Sequence, residues 1–283
     1  MNNIYNFSSS SLLNDELNII QLVLLCFFFL SVGSFASTLI IRLSPSNNFK
    51  ILNVIYSRSN CISCKKKIGF FNLIPIVGYL IQLGKCEYCK LTISKFYPLT
   101  EVLFCLTGFF LITEYGFSEY SLIMFLIFLV LYILFFLDFK YFYLPLPLNL
   151  SIFVMGFLGN VFFSLAIDDS LLIFKVTPVT FSILGFIFGY MFLFSINFIF
   201  KTFKKIDGIG GGDFILFGGI GSIFGPFAIW PIIFLASSLG ILYYVFFEKN
   251  FKKELPLGSF IILGSIVFFL LKKFELFNYI LVL

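Results

Sequence analysis

The 283-residue sequence contains no histidine. That excludes Ser-His-Asp and Cys-His catalysis, histidine metal ligands and an imidazole proton shuttle. Charge is also scarce. Only 12% of the residues are charged, against about 25% in an ordinary soluble domain. Apolar residues make up 60% of the chain and the mean hydropathy is +1.06. One core cannot hide that much apolar surface, so a soluble enzyme is excluded and a polytopic membrane protein is expected. Tails of low complexity, coiled-coil heptads and internal repeats are missing. No Lys or Arg precedes Arg42. A secretory signal needs a basic start, so the first apolar run is expected to be retained as a span.

What is present in abundance is phenylalanine, 45 residues in all, read as lipid-facing bulk. Apolar runs lie at 18–41, 98–113, 119–138, 145–167, 177–200, 214–224, 226–247 and 257–271, with Gly225-Pro226 as a turn between two short spans. They predict an all-α polytopic membrane protein with about eight transmembrane helices, seven if one short run does not cross. The net charge is +5. On a membrane protein such an excess reports orientation, not a nucleic-acid partner. With eight spans, one side receives 42–97, 139–144, 201–212 and 248–256, which hold 16 of the 19 Lys and Arg residues. The positive-inside rule makes that side cytoplasmic, with both termini outside. The expected organisation is a first transmembrane helix at 1–43, a cytoplasmic cysteine module at 44–97 and a membrane domain at 98–283.

Four of the six cysteines fall in that module, as Cys61-Ile62-Ser63-Cys64 and Cys86-Glu87-Tyr88-Cys89. Two CxxC knuckles at this separation suit a tetrahedral zinc site of ribbon type. Lys65, Lys66, Lys67, Lys85 and Lys90 surround it and favour thiolates. A reducing cytoplasm disfavours disulfides. The metal is expected to be structural, because four thiolates leave no open coordination position and a loop this small needs a staple. Cys26 and Cys105, in apolar runs, read as small hydrophobes.

Asp138 and Asp213 stand at the ends of apolar runs. A carboxylate there is costly and so marks a functional candidate. The topology derived from Lys and Arg puts both at cytoplasmic ends, where they could face one cavity. Two close carboxylates at low dielectric share one proton. The ionised member can then deprotonate water while the protonated one polarises a peptide carbonyl. Gly210, Gly211 and Gly212 would let the backbone approach closely and adopt unusual dihedrals beside Asp213. The plainer alternative is a pair of solvated helix-end residues after an ordinary loop. Asp207 sits in a Lys-rich loop, and Glu101 reads as a first-turn acid.

In this order the residues resemble the type IV prepilin peptidases, the leader peptidases and N-methyltransferases of pilus and type II secretion systems. The resemblance is carried by Gly33-Ser34-Phe35 with Arg42-Leu43, the stretch Arg58–Cys64, Asn72–Pro75, Gly84–Cys89, Ile93–Glu101, Asp138 with Leu144-Pro145, Gly210–Asp213 and Leu255–Gly258. This chain departs from the family at Ile62, Leu146, Phe214-Ile215, Leu257 and Ser259. The last two stand where the family's late Pro-Phe-Gly-Pro element has Phe and its second Pro. The resemblance implies a catalytic pair at Asp138 and Asp213, and cleavage of short basic leaders from prepilins or pseudopilins at the cytoplasmic face of the bacterial inner membrane. It also implies S-adenosylmethionine-dependent methylation of the new amino terminus. The alternatives are a peptidase without methylation, and a non-enzymatic scaffold or transporter with a zinc-ribbon docking domain.

Overall fold

In the computed structural model, residues 19–45, 58–165, 176–247 and 255–274 are described. The amino terminus and the loops carrying Lys50, Asp168, Asp169 and Lys175 lie outside the described residues. Nine α-helices are present among them: α1 (Ile19–Arg42), α2 (Val77–Ile81), α3 (Phe96–Tyr115), α4 (Glu119–Tyr141), α5 (Leu146–Phe163), α6 (Pro178–Lys204), α7 (Gly211–Phe224), α8 (Ile229–Phe247) and α9 (Leu257–Lys273). Short 3-10 turns occur at Phe71–Leu73 and Pro226–Ala228. The eight long helices coincide with the eight predicted apolar runs, with ends moved by no more than four residues.

Length narrows the count of certain crossings. Six helical segments, 19–42, 96–115, 119–141, 146–163, 178–204 and 226–246, are long and apolar enough to cross a membrane. The other two, α7 and α9, have 14 and 17 residues. Of these, α7 is shorter than the ~17–25 residues of a typical crossing helix, and α9 stands at the lower end of that range. Among the described residues all eight expected helices are present, six of them long and apolar enough to cross by themselves and two shorter. The chain is a mostly helical multi-pass membrane protein.

Local chemistry sets the helix ends. Gly116 (φ 68°) closes α3, its N–H donating to the Ile112 carbonyl. Thr177 caps α6 by accepting from the Thr180 N–H, with Pro178 at the first helical position. Gly225 (φ 83°) ends α7 and turns the chain into Pro226, as the Gly-Pro pair predicts.

The contacts divide the chain into two compact units, 1–129 and 130–283, the division falling inside α4. In the first, α1 and α3 pack closely at Gly33, where a methyl group would lie 2.9 Å from Glu101 Cα. Phe29 meets Phe125 at 4.9 Å between ring centroids, and Phe104 meets Phe128 at 5.2 Å. Cys26 and Cys105 join this contact, their sulfurs 3.4 Å apart. In the second unit α7 lies against α5 and α6. A Cβ on Gly185 would strike the Gly221 carbonyl, and one on Gly189 would sit 2.7 Å from the Phe217 carbonyl. Small residues let helices approach this closely where apolar burial gives little drive inside lipid. Asn160, fully buried, reaches from α5 to Ser182 on α6 and to the Ser222 and Ile223 carbonyls ending α7. Phenylalanine therefore serves both roles: Phe104 and Phe217 are fully buried, while Phe188, Phe198, Phe203 and Phe234 face outward.

Candidate functional site

The cysteine module is built from two matching turns. In the first, the Lys65 N–H donates to the Cys61 carbonyl (3.0 Å) and the Cys61 N–H to the Lys66 carbonyl (2.9 Å). In the second, the Lys90 N–H donates to the Cys86 carbonyl (2.9 Å) and the Cys86 N–H to the Leu91 carbonyl (2.8 Å). Lys65 and Lys90 both take positive φ, 58° and 59°. Each knuckle is flanked by one antiparallel bridge, Asn60 to Lys67 and Lys85 to Thr92.

The four sulfurs of Cys61, Cys64, Cys86 and Cys89 all lie within 4.8 Å of one another. Cys61 and Cys89 are 3.7 Å apart. Tetrahedral zinc with ~2.3 Å Zn–S bonds needs sulfurs roughly 3.8 Å apart, so the donor set fits such an ion. The electrostatics agree. The N–H groups of Cys64 and Ser63 pull the Cys61 thiol down to about 6, and those of Cys89 and Tyr88 lower Cys86. At Cys64 the Lys66 N–H also lowers the pKa, but desolvation and the neighbouring sulfurs outweigh it and push the value up to about 11. The cluster resists full ionisation by itself, and a divalent cation removes that penalty. Lys66 is stacked over the Tyr88 ring at 4.7 Å.

Glu101 departs from its expected place. Because α3 begins at Phe96, Glu101 lies beyond the first turn. It is 5% exposed, and its Oε2 accepts the Ile76 N–H at 2.7 Å. Ile76 takes φ 60° and ψ −52°, a costly conformation for a β-branched residue. Glu101 therefore ties α3 to the strained entry of α2 rather than capping its own helix.

The two aspartates converge in the second unit. Asp138 lies one turn before the end of α4 and is 5% exposed. Asp213 lies in the first turn of α7. Between them stands Gly258 at the start of α9. A methyl group on Gly258 would be 2.9 Å from Asp213 Oδ1, 3.1 Å from Asp138 Oδ2 and 3.0 Å from Leu144 Cδ1. Those two oxygens are thus no farther apart than the sum of the first two distances. The space a side chain would need at position 258 is already taken by carboxylate.

Further residues hold this corner, and the sequence reading did not single them out as site residues. Ser259 donates to Asp138 Oδ2 from its N–H (2.6 Å) and from its hydroxyl (2.8 Å). Asn149, fully buried on α5, donates from Nδ2 to the Gly212 carbonyl (3.0 Å). Asn197 on α6 accepts the Gly208 and Ile209 N–H groups at 2.9 and 3.0 Å and donates to Asp207 Oδ1 at 3.2 Å. Asp207 also pairs with Lys201 at 3.0 Å, and this lysine, then Asn197, holds its carboxyl below the usual range. Asp207 thus orders the loop before α7. Ser259 was visible only as a departure from a motif; nothing in the local pattern marked Asn149 or Asn197.

Of the two roles expected of the glycine run, close approach is seen and unusual dihedrals are not. Gly210 has ordinary extended dihedrals (φ −70°, ψ 145°), and no glycine from 208 to 212 has positive φ. Close approach is what counts. A Cβ on Gly212 would lie 2.9 Å from Leu144 Cβ, and one on Gly210 would lie 3.2 Å from Asp213 Oδ2. A Cβ on Gly211 would meet nothing within 4 Å.

The structure thus defines a class: a multi-pass membrane protein with a converging aspartate pair and a four-cysteine module that could hold a metal. Comparison with known proteins places it more closely. Residues 27–115 match the bacterial peptidase A24 N-terminal domain, and residues 123–245 match the type IV leader peptidase family. The chain belongs to the type IV leader peptidase family. It is 29% identical over 259 residues to a prepilin leader peptidase/N-methyltransferase of Vibrio cholerae, covering 88% of this chain and 96% of the relative. With the Pseudomonas aeruginosa protein of the same name it shares 32% identity over 198 residues, 70% of this chain and 64% of the relative. A type 4 prepilin-like proteins leader peptide-processing enzyme of Escherichia coli is 27% identical over 224 residues, 78% of each chain. No solved structure matches.

Proposed function

We propose that this protein removes leader peptides from type IV prepilins or pseudopilins, with Asp138 and Asp213 as its catalytic pair, and then methylates the new amino terminus from S-adenosylmethionine. The convergence of the two carboxylates on Gly258 carries this reading. Relatives named for the same two activities support it. One carboxylate takes a proton from water and the other gives one to the scissile carbonyl, so hydrolysis needs no histidine. Gly210 and Gly212 serve as supporting positions, since side chains there would crowd Asp213 and Leu144.

Cys61, Cys64, Cys86 and Cys89 would hold a structural zinc ion. When bound, it staples a small module that has little core of its own. S-adenosylmethionine, when bound, supplies the methyl group. The bias of Lys and Arg supports a cytoplasmic-side position in the inner membrane for the cysteine module and the aspartate pair.

The test uses purified full-length protein, a prepilin substrate and mass measurement of the product with and without S-adenosylmethionine. Cleavage is expected after the leader, with one added methyl group when the donor is present. Asp138→Asn and Asp213→Asn, checked for insertion and folding, should each abolish cleavage. Substantial cleavage by either variant would overturn the aspartate-pair reading. An unmethylated product would leave the peptidase reading alone.

A further inference from the structure

We infer that Ser259 is a positioning residue that holds the charge of the aspartate pair on Asp138 and leaves the shared proton on Asp213, making Asp138 the base and Asp213 the acid. This rests on the aspartate-pair reading above. The two carboxylates have unlike surroundings. Asp138 Oδ2 receives two donors from one residue, the Ser259 N–H at 2.6 Å and its hydroxyl at 2.8 Å. The hydroxyl also lies 3.0 Å from the Phe135 carbonyl, so its single proton has two acceptors within reach. The N–H has no such freedom and donates whichever way the hydroxyl turns. Ser259 is the third residue of α9, where a backbone N–H has no intrahelical partner and the helix dipole favours an anion. Donors aimed at a carboxylate oxygen stabilise its ionised form.

Asp213 faces the opposite situation. Its Oδ1 is buried and, among the described residues, no donor reaches it with hydrogen-bond geometry, although the Gly210 and Gly258 N–H groups lie near the carboxylate. Leaving a buried anionic oxygen without a donor is the costlier arrangement. Close by, Asn149 Oδ1 is the other buried side-chain oxygen without a partner among the described residues. Asn149 is tied through Nδ2 to the carbonyl of Gly212, the residue before Asp213. Two buried oxygens here, Asp213 Oδ1 and Asn149 Oδ1, lack a well-placed donor among the described residues, which suits a proton on Asp213. Among the described residues, Lys140 lies over the Phe136 ring at 5.5 Å and the Tyr243 ring of α8 packs on Phe139 and Phe260.

The proton inventory then closes. A water oxygen bonds to the scissile carbonyl carbon, its proton passing to Asp138 while the Asp213 proton passes to the carbonyl oxygen. When the C–N bond breaks, Asp138 returns its proton to the leaving amine. The diol oxygen returns one to Asp213. A proline at position 259 would have no N–H to donate, so the clamp depends on the residue that stands there.

The test is a set of single and double variants assayed for leader cleavage and for thermal stability in detergent. Ser259→Ala removes the hydroxyl and keeps the N–H. It should lower kcat by about 10- to 100-fold, the worth of one hydrogen bond to a charged group, with KM little changed. Ser259→Thr should restore most of that loss. Asp213→Asn, a neutral stand-in for the protonated acid, should leave thermal stability near the parent value, whereas Asp138→Asn should lower it. Ser259→Ala should add its stability cost in the Asp213→Asn background and little in the Asp138→Asn background. Wild-type kcat for Ser259→Ala, failure of threonine to rescue, or equal stability costs for the two Asp→Asn changes would overturn the assignment. These outcomes leave the aspartate-pair reading standing, since only cleavage by an Asp→Asn variant removes that.

Discussion

Gly258 shows how a residue without a side chain can decide a site. Its missing Cβ would lie about equally close to both carboxylates and to Leu144. Gly258→Ala should therefore force one carboxylate aside. A misplacement of ~1 Å can cost roughly 100-fold in rate, whereas overpacking of this kind costs about 1–3 kcal/mol of stability. Cleavage assays paired with thermal unfolding should show a large loss of activity in a protein that still folds. Wild-type cleavage by this variant would show that the two carboxylates need not approach there. Gly211 makes the contrast, since a Cβ there meets nothing within 4 Å. Gly211→Ala is expected to cleave at nearly the parent rate, although the two glycines look equally special in the sequence.

At the scale of elements, the loop from Asp207 to Gly210 is held by Asn197, one buried amide that accepts two backbone N–H groups. Asn197→Ala removes the partner of an exposed and a half-exposed N–H, at a cost of about 0.5–1.5 kcal/mol per bond. The start of α7, and Asp213 with it, should loosen. Limited proteolysis near Lys205 should quicken and kcat should fall, while metal content stays constant. An unchanged digestion pattern would dissociate Asn197 from the loop. The cysteine knuckles make a separate prediction. Cys61→Ser with Cys64→Ser should abolish zinc in the purified protein and expose residues 58–95 to protease. Metal analysis that finds no zinc in the parent protein would remove the structural-metal proposal. The thiol of Cys61 is already pulled down to about 6 by backbone N–H groups, so the module is prepared for a cation before one arrives.

For the whole molecule, the charge bias predicts one orientation. A probe cysteine replacing Lys66, placed in a variant whose Cys26 and Cys105 are serine, should resist an impermeant reagent added to intact cells. It should react once the membrane is opened. Labelling from outside would reverse the topology and put the aspartate pair on the wrong face for cytoplasmic leaders. The membrane class and the positions of the eight long helices were legible in the sequence. Transfer of apolar side chains into lipid depends on composition along a run and hardly on what lies beside it. The two CxxC pairs were legible for a similar reason, since each knuckle is a local turn whose ligands come from four consecutive residues. That Asp138 and Asp213 stand at helix ends and could face one cavity could be read as well, but that they meet at Gly258 could not. Nor could the clamps from Ser259, Asn149 and Asn197, nor the tie from Glu101 to Ile76. Each joins residues on different helices or across loops, at separations from 11 to 121 positions. No periodicity links such partners. The way α7 and α9 present their first turns to α4 and α5 is a result of glycine-mediated helix packing, and only the tertiary structure decides it.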